Sequence, residues 1–196
     1  MRALFLPLFF LAIQAAAQLL PQATLDTIRE FRSMEAALKD PLNVYRLDLS
    51  KQKLRTVPEA VRTMTNLNAL DLGKNKIREM PDWLGELLFM QEFRAANNKL
   101  TKVPGAVCRW KRLKRLDLHQ NEIEGLPPCL GGLKELFALD LWRNALEDFP
   151  DELAELKDLR FLDPRVIQFS QGEMDRITAL FPQVKIFFSQ PCNCGD

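Results

Sequence analysis

The chain has 196 residues, enough for one domain of ordinary size or two very small ones. Apolar residues make up 47% of it and charged residues 27%, so the chain can bury a core and is not compositionally disordered. Basic and acidic residues nearly balance, at 27 and 26, which excludes binding to nucleic acid or to a membrane through bulk positive charge. One histidine and four cysteines leave little material for a metal site or a catalytic triad.

The first residues predict a secretory signal peptide. Arg2 precedes the apolar run Ala3–Ile13, which is too short to span a bilayer, since a span needs about 20 apolar residues. Ala15 and Ala17 then form the A-x-A pattern of a cleavage site. We therefore expect export to the medium, the periplasm or the cell envelope, with a retained anchor as the alternative.

The next segment predicts an N-terminal helical cap. Its apolar residues recur at helical spacing, and Asp40-Pro41 is a helix stop. We expect one helix over residues 25–39 lying on the first strand, with an apolar face of Leu25, Ile28, Phe31, Met34 and Leu38.

A 23-residue repeat follows this cap without insertions. The five full copies are VYRLDLSKQKLRTVP (44–58), LNALDLGKNKIREMP (67–81), MQEFRAANNKLTKVP (90–104), LKRLDLHQNEIEGLP (113–127) and LFALDLWRNALEDFP (136–150). A sixth copy begins with LRFLD at residue 159. Self-similarity at a fixed period indicates a repeat architecture, in which stacked copies bury what one copy alone cannot.

Each repeat position has a physical role. Alternating apolar and polar residues predict a short half-buried strand. A proline then starts a return arm, whose apolar pair is expected to point inward. The asparagine between them is expected to satisfy backbone groups in a stacked ladder of Asn75, Asn98, Asn121 and Asn144, with Gln52 doing so in part.

The L-x-x-L-x-L-x-x-N-x-L-x-x-L-P pattern over residues 44–163 resembles the leucine-rich repeat family, in its typical 23-residue class. The expected fold is an α/β solenoid, curved around a parallel concave sheet of six strands. The segments MEAALKDPLNV (34–44) and ITALFPQVKIFF (177–188) also resemble the ends of small exported bacterial leucine-rich repeat proteins.

Two copies depart from the pattern. Phe93 and Ala95 replace two leucines of the third copy, and a large residue beside a small one favours a repacked core over a hinge. Pro164 takes the place of a strand leucine in the sixth copy, where regular pairing should fail because proline lacks an N–H.

The residues after the repeats predict a helix-strand cap. Ser170 and Glu173 form a capping box ahead of an apolar helix face, and Val184–Phe188 is strand-like. The chain then divides into a signal peptide (1–17), an N-terminal cap (18–43), repeats (44–163, starting at 44, 67, 90, 113, 136 and 159), a C-terminal cap (164–190) and a tail (191–196).

No motif for phosphate binding, nucleophilic catalysis or metalloproteolysis occurs, so we predict no enzyme and no cofactor or metal. The cysteines remain open. Cys108 and Cys129 lie in adjacent copies on the convex side, where a bridge is conceivable but offset. Cys192 and Cys194 lie in the tail, where they can pair with another chain.

The concave face holds the candidate binding site. Large aromatic and arginine side chains are typical of binding hot spots, and they gather in its C-terminal half. The candidates are Trp142, Phe161, Arg143, His119, Arg115 and Phe137. A column of aspartates (Asp48, Asp71, Asp117, Asp140 and Asp163) is interpreted as structural, solvating the sheet and pairing with cations.

Two functions fit these observations. The first is a non-catalytic module that binds a protein or peptide on its concave sheet after export. The second is a structural or assembly component of the cell envelope, cross-linked through the C-terminal cysteines. Neither involves nucleic acid or a stable membrane span.

The signal-peptide pattern predicts that the mature chain starts at Gln18. Intact-mass measurement of the exported protein should give the mass without residues 1–17. A mass that includes those residues would instead support the retained anchor.

Overall fold

The computed structural model describes residues 19–165, 167 and 169–189, so the predicted signal peptide and the tail lie outside the described residues. Within these ranges one parallel sheet has its eight strands in chain order. The strands are β1 Glu30–Phe31, β2 Arg46–Asp48, β3 Ala69–Asp71, β4 Glu92–Arg94, β5 Arg115–Asp117, β6 Ala138–Asp140, β7 Phe161–Asp163 and β8 Lys185–Ile186. The predicted solenoid is confirmed, and each cap adds one strand to the six expected.

The return arms are short 3-10 helices. They span Glu59–Thr63, Asp82–Glu86, Gly105–Arg109, Pro128–Gly132 and Asp151–Glu155. A proline precedes each of them, where its fixed φ and missing N–H suit the start of a helix. The apolar pair of each arm is buried against the sheet: Val61/Met64, Leu84/Leu87, Val107/Trp110, Leu130/Leu133 and Leu153/Leu156.

Buried asparagines join neighbouring copies. The Asn121 amide donates to the carbonyls of Leu118 (2.9 Å) in its own copy and Ala95 (3.0 Å) in the preceding one. Its Oδ1 accepts the N–H of Leu100 at 3.1 Å. The same set of bonds recurs at Asn75, Asn98 and Asn144.

Gln52 does not take the asparagine role, contrary to expectation. It is exposed, and its side-chain amide donates to the carbonyl of Arg32 at 3.4 Å. Asn75 donates to the carbonyl of Leu49, 26 positions earlier. The corresponding residue for Gln52 is Asp26, which lies in the helix Gln22–Thr27 rather than in a repeat turn. Asn75 serves this edge instead, since its Oδ1 accepts the N–H of Gln52 at 3.0 Å.

The third copy has a repacked core. Phe93, Ala95 and Trp110 are all buried, and the Phe93 and Trp110 ring centroids lie 4.9 Å apart. The indole N–H donates to the Leu84 carbonyl at 3.1 Å, which satisfies the polar atom of this large side chain. The large aromatic pair fills the space beside the small Ala95.

The single cap helix predicted over residues 25–39 is wrong. The segment forms helix α1 (Gln22–Thr27), strand β1 and helix α2 (Met34–Ala37). β1 pairs with β2, so it covers backbone groups that a helix would leave unpaired at the sheet edge. Ser33 then starts α2 by accepting the N–H of Ala36 at 3.1 Å.

The C-terminal end closes with helix α3 (Gln171–Leu180) and β8. Ser170 and Glu173 form the reciprocal capping box of α3. In earlier copies the residue at the position of Pro164 donates its N–H to the next strand, as Leu141 does to the Asp163 carbonyl at 3.0 Å. Proline cannot donate, and β8 pairs with β7 at only two positions.

Cys108 and Cys129 are joined by a disulfide between adjacent return arms. Their Cα atoms lie 5.6 Å apart, within the range that a bridge requires. The two residues are separated by 21 positions, so the bridge links the third and fourth copies on the convex side.

The asparagine bonds predict a stability cost. Asn121→Ala should lower the free energy of unfolding by about 1–3 kcal/mol, because it leaves buried backbone groups unpaired. Asn43→Ala, at an exposed asparagine, should change it by less than about 0.5 kcal/mol. Denaturant melts measure both variants, and equal stability of Asn121→Ala and the parent would contradict the ladder.

The disulfide predicts a second effect. The Cys108→Ser/Cys129→Ser variant should lose about 2–4 kcal/mol, because the bridge restricts the unfolded chain. The Cys192→Ser/Cys194→Ser variant keeps the bridge and serves as the control in melts without reductant. Peptide mapping that finds Cys108 and Cys129 as free thiols in the oxidised protein would contradict the bridge.

Candidate binding surface on the concave sheet

In the N-terminal half of the concave sheet, the start of strands β3 and β4 is covered by the chain itself. The segment of residues 19–28, here the N-terminal arm, runs from β1 back towards the third copy. Leu20 packs against Ala69 of β3, and its N–H donates to Asn68 Oδ1 at 3.0 Å. Gln91 Nε2 donates to the Leu20 carbonyl at 2.7 Å. Two side-chain amides of the repeats thus hold both backbone groups of one arm residue.

A second contact extends the cover to β4. Gln22 Nε2 donates to Glu92 Oε1 at 2.8 Å, and Glu92 is only 3% exposed. Sequence reasoning missed this arm. A signal existed, because Asn68 and Gln91 stand where later copies carry the charged or aromatic residues Lys114 and Phe137.

The C-terminal half of the sheet is open and carries an aromatic pair. Phe137 precedes β6 and Phe161 opens β7, with ring centroids 5.3 Å apart in an edge-on arrangement. They are 41% and 45% exposed. A groove of about 410 Å³ lies along Phe137 and Arg115, and another of about 280 Å³ along Phe161 and Arg115. The structure therefore brings three of the six predicted residues together.

Trp142 and His119 form a second group, with ring centroids 5.6 Å apart. Both side chains are half-buried. Arg143 lies in the following turn rather than in the strand, with φ 57°, and it is exposed. Arg143 directly follows Trp142 in the chain. It has the same left-handed turn conformation that Lys74 has in the second copy.

The aspartate column has a more specific structural role than solvation. Each Oδ1 accepts the backbone N–H two residues later, which fixes the bend out of the strand. These bonds run from the N–H groups of Ser50, Gly73, His119, Trp142 and Arg165 to Asp48, Asp71, Asp117, Asp140 and Asp163. In the third copy Arg94 replaces the aspartate and pairs with Glu92 at 3.4 Å.

The charges of this column are unevenly balanced. Burial raises the pKa of Asp140, and the neighbouring carboxylates of Asp117 and Asp163 raise it further. His119 Nδ1 donates a hydrogen bond to Asp117 Oδ1 at 2.6 Å, and this bond raises the pKa of the imidazole. Arg165 compensates Asp163 at 2.6 Å.

One group of residues with metal-ligand chemistry is present in the described part of the chain. Asp117, His119 and Asp140 each offer a ligand atom, and these atoms lie within 4.8 Å of one another. The sequence analysis predicted no metal site. A count of histidines does not show that Asp140, on the neighbouring strand, lies beside Asp117 and His119.

Comparison with known proteins decides the family. A family model described as a leucine-rich repeat region matches residues 31–183. The chain belongs to the leucine-rich repeat family. A search of curated proteins found no match.

Solved structures of other leucine-rich repeat proteins share the fold. A leucine-rich repeat protein of Leptospira interrogans is 27% identical, with a TM-score of 0.65 over 84% of this chain and 49% of that one. Internalin C2 of Listeria monocytogenes is 20% identical, with a TM-score of 0.67 over 82% and 67%. The chain thus spans about half the length of the Leptospira protein.

A third similar structure comes from a plant. The ectodomain of the membrane receptor kinase GASSHO1/SCHENGEN3 from Arabidopsis thaliana, in complex with Casparian strip integrity factor 2, is 23% identical. Its TM-score is 0.62 over 76% of this chain and 19% of that one. Among the described residues of the leucine-rich repeat chain, no helix has the length and apolar character that a membrane crossing requires.

Proposed function

We propose that this leucine-rich repeat protein is a non-catalytic module that binds a protein or peptide on the C-terminal half of its concave sheet after export. The carrying observation is the exposed Phe137–Phe161 pair, flanked by two grooves and by Arg115. An aromatic pair left exposed beside a concave surface is typical of an interaction site.

The N-terminal arm supports the same location. It removes Ala69 and Glu92 from solvent, whereas Arg115 and Phe161 at the same position of later copies stay exposed. The similar plant receptor ectodomain was solved with a bound factor, which supports a binding role for this fold. The signal-peptide pattern and the disulfide between Cys108 and Cys129 support export, because disulfides persist in oxidising compartments.

The alternative is an envelope component cross-linked through Cys192 and Cys194. The disulfide between Cys108 and Cys129 supports this alternative, because it leaves Cys192 and Cys194 as the cysteines that could link to another chain. A cross-linked component should run as a covalent multimer on gels without reductant and as a monomer with it. Partner capture should then be insensitive to changes on the concave face.

The binding surface is tested with three variants of the mature chain. A partner is captured from the envelope fraction of the source organism and purified. Trp142→Ala and Phe161→Ala should each lose about 2 kcal/mol of affinity, or about 30-fold, because they truncate aromatic anchors. Lys74→Ala should lose far less, because a rim charge mainly alters association rate and salt dependence.

Circular dichroism and melting first establish that each variant is folded. Phe161 is the cleaner probe, because its ring is 45% exposed and adds little to the core. Parent-like affinity of both aromatic variants would exclude this surface and direct attention to the convex side or the caps.

A further inference from the structure

We propose that Asp117, His119 and Asp140 form a binding site for a divalent transition-metal ion such as Zn²⁺ on the concave face. The inference goes beyond the proposed partner binding, with which it shares one residue, His119. It starts from backbone placement. Asp117 and Asp140 are register partners on β5 and β6. His119 follows two residues after Asp117, with the buried Leu118 between them, so both side chains leave the same face of the sheet.

The side-chain geometry brings the ligand atoms together. His119 Nδ1 lies 2.6 Å from Asp117 Oδ1 and 3.6 Å from Asp140 Oδ2. A zinc ion holds imidazole and carboxylate ligands at about 2.0–2.2 Å, which spaces the ligand atoms of one ion about 3 to 3.5 Å apart. An ion would replace the proton shared by His119 Nδ1 and Asp117 Oδ1 and move these two atoms apart by about 0.5–1 Å.

The donor set and its exposure suit an open metal site. One imidazole and two carboxylates are ligands that zinc accepts, and three protein ligands leave a coordination position for water. The side chains of His119, Asp117 and Asp140 are 26%, 28% and 40% exposed, so an ion can reach them from solvent.

Backbone hydrogen bonds hold both carboxylates in place. Asp117 Oδ1 accepts the N–H of His119 at 3.2 Å, and Asp140 Oδ1 accepts the N–H of Trp142 at 3.0 Å. Each carboxylate keeps its second oxygen for a further ligand. Two side chains are thus pre-positioned before an ion arrives, which lowers the entropic cost of binding.

The local charge favours a dication. Asp163 is paired with Arg165, and Glu92 lies between Arg94 at 3.4 Å and Arg115 at 3.9 Å. Among the described residues, the ion pairs of Asp117 and Asp140 involve only His119. Two adjacent carboxylates therefore share one weak base, and a divalent ion would neutralise both.

The experiment is a Zn²⁺ titration of the folded mature chain, followed by calorimetry and by NMR of ¹⁵N-labelled protein. His119 is the single histidine of the chain, so the imidazole signals report on this site alone. We expect one ion per chain and a shift of the His119 Nδ1 resonance. Asp140→Asn should weaken binding by about tenfold or more, and His119→Gln should abolish it.

Asp71→Asn is the matched control. Asp71 stands in the same column and makes the same turn bond, to the N–H of Gly73 at 2.7 Å, but Gly73 takes the place of the histidine. This variant should bind Zn²⁺ like the parent. Parent-like zinc binding by His119→Gln would place the ion elsewhere, for example on the tail cysteines, and overturn the proposal. His119 signals in the parent that do not respond to excess Zn²⁺ would overturn it without any variant.

Discussion

A buried asparagine side chain holds each of the second to fifth copies to the copy before it. Asn98, for example, donates to the carbonyl of Ala95 in its own copy and of Leu72 in the copy before, and accepts the N–H of Ile77. These groups are buried, so any insertion or deletion between copies would leave several of them unpaired. The constant 23-residue spacing follows from this constraint, and so does the register of the sheet.

The register in turn creates the surface chemistry. From β2 to β7 each strand residue pairs with the residue 23 positions later, so outward side chains stack in columns at the spacing of parallel strands, about 4.8 Å. Asp117 and Asp140 meet in this way. Phe137 lies one residue before Ala138, which is the register partner of Phe161, so these two rings meet across neighbouring columns. A group on the concave face is therefore assembled from two copies, each of which supplies only part of it.

Much of the fold follows from the sequence, because in a repeat protein the local pattern and the global contacts share one period. The strands, the prolines, the inward pairs and the buried asparagines are all fixed by position within a copy. The predictions that failed lie at the N-terminal end of the array, where the 23-residue period stops. The N-terminal cap has helical spacing over residues 25–39, yet the unpaired edge of β2 draws Glu30–Phe31 into a strand. The failure at Gln52 has the same origin, since no earlier turn lies before the first copy.

The candidate site was predictable in part. Its aromatic residues are visible as large side chains at outward strand positions. The N-terminal arm was missed, because Asn68 and Gln91 mark where a segment docks but not which one, and Leu20 and Gln91 lie far apart in the chain. The turn role of the aspartates was also missed, since counting charges does not reveal that one oxygen of each is used by the backbone.

The bridge between Cys108 and Cys129 has a mechanical consequence. A stack in which each copy contacts only its neighbours can unravel progressively from either end when the chain is pulled. The bridge closes a segment of 21 positions across the join between the third and fourth copies, so the extended chain excludes that segment. At about 3.4 Å per residue, roughly 70 Å of contour length is withheld from extension until the bond is reduced. Tension on the oxidised protein would therefore extend only the chain on either side of the bridge, and the strand that carries Asp117 would stay within the closed segment.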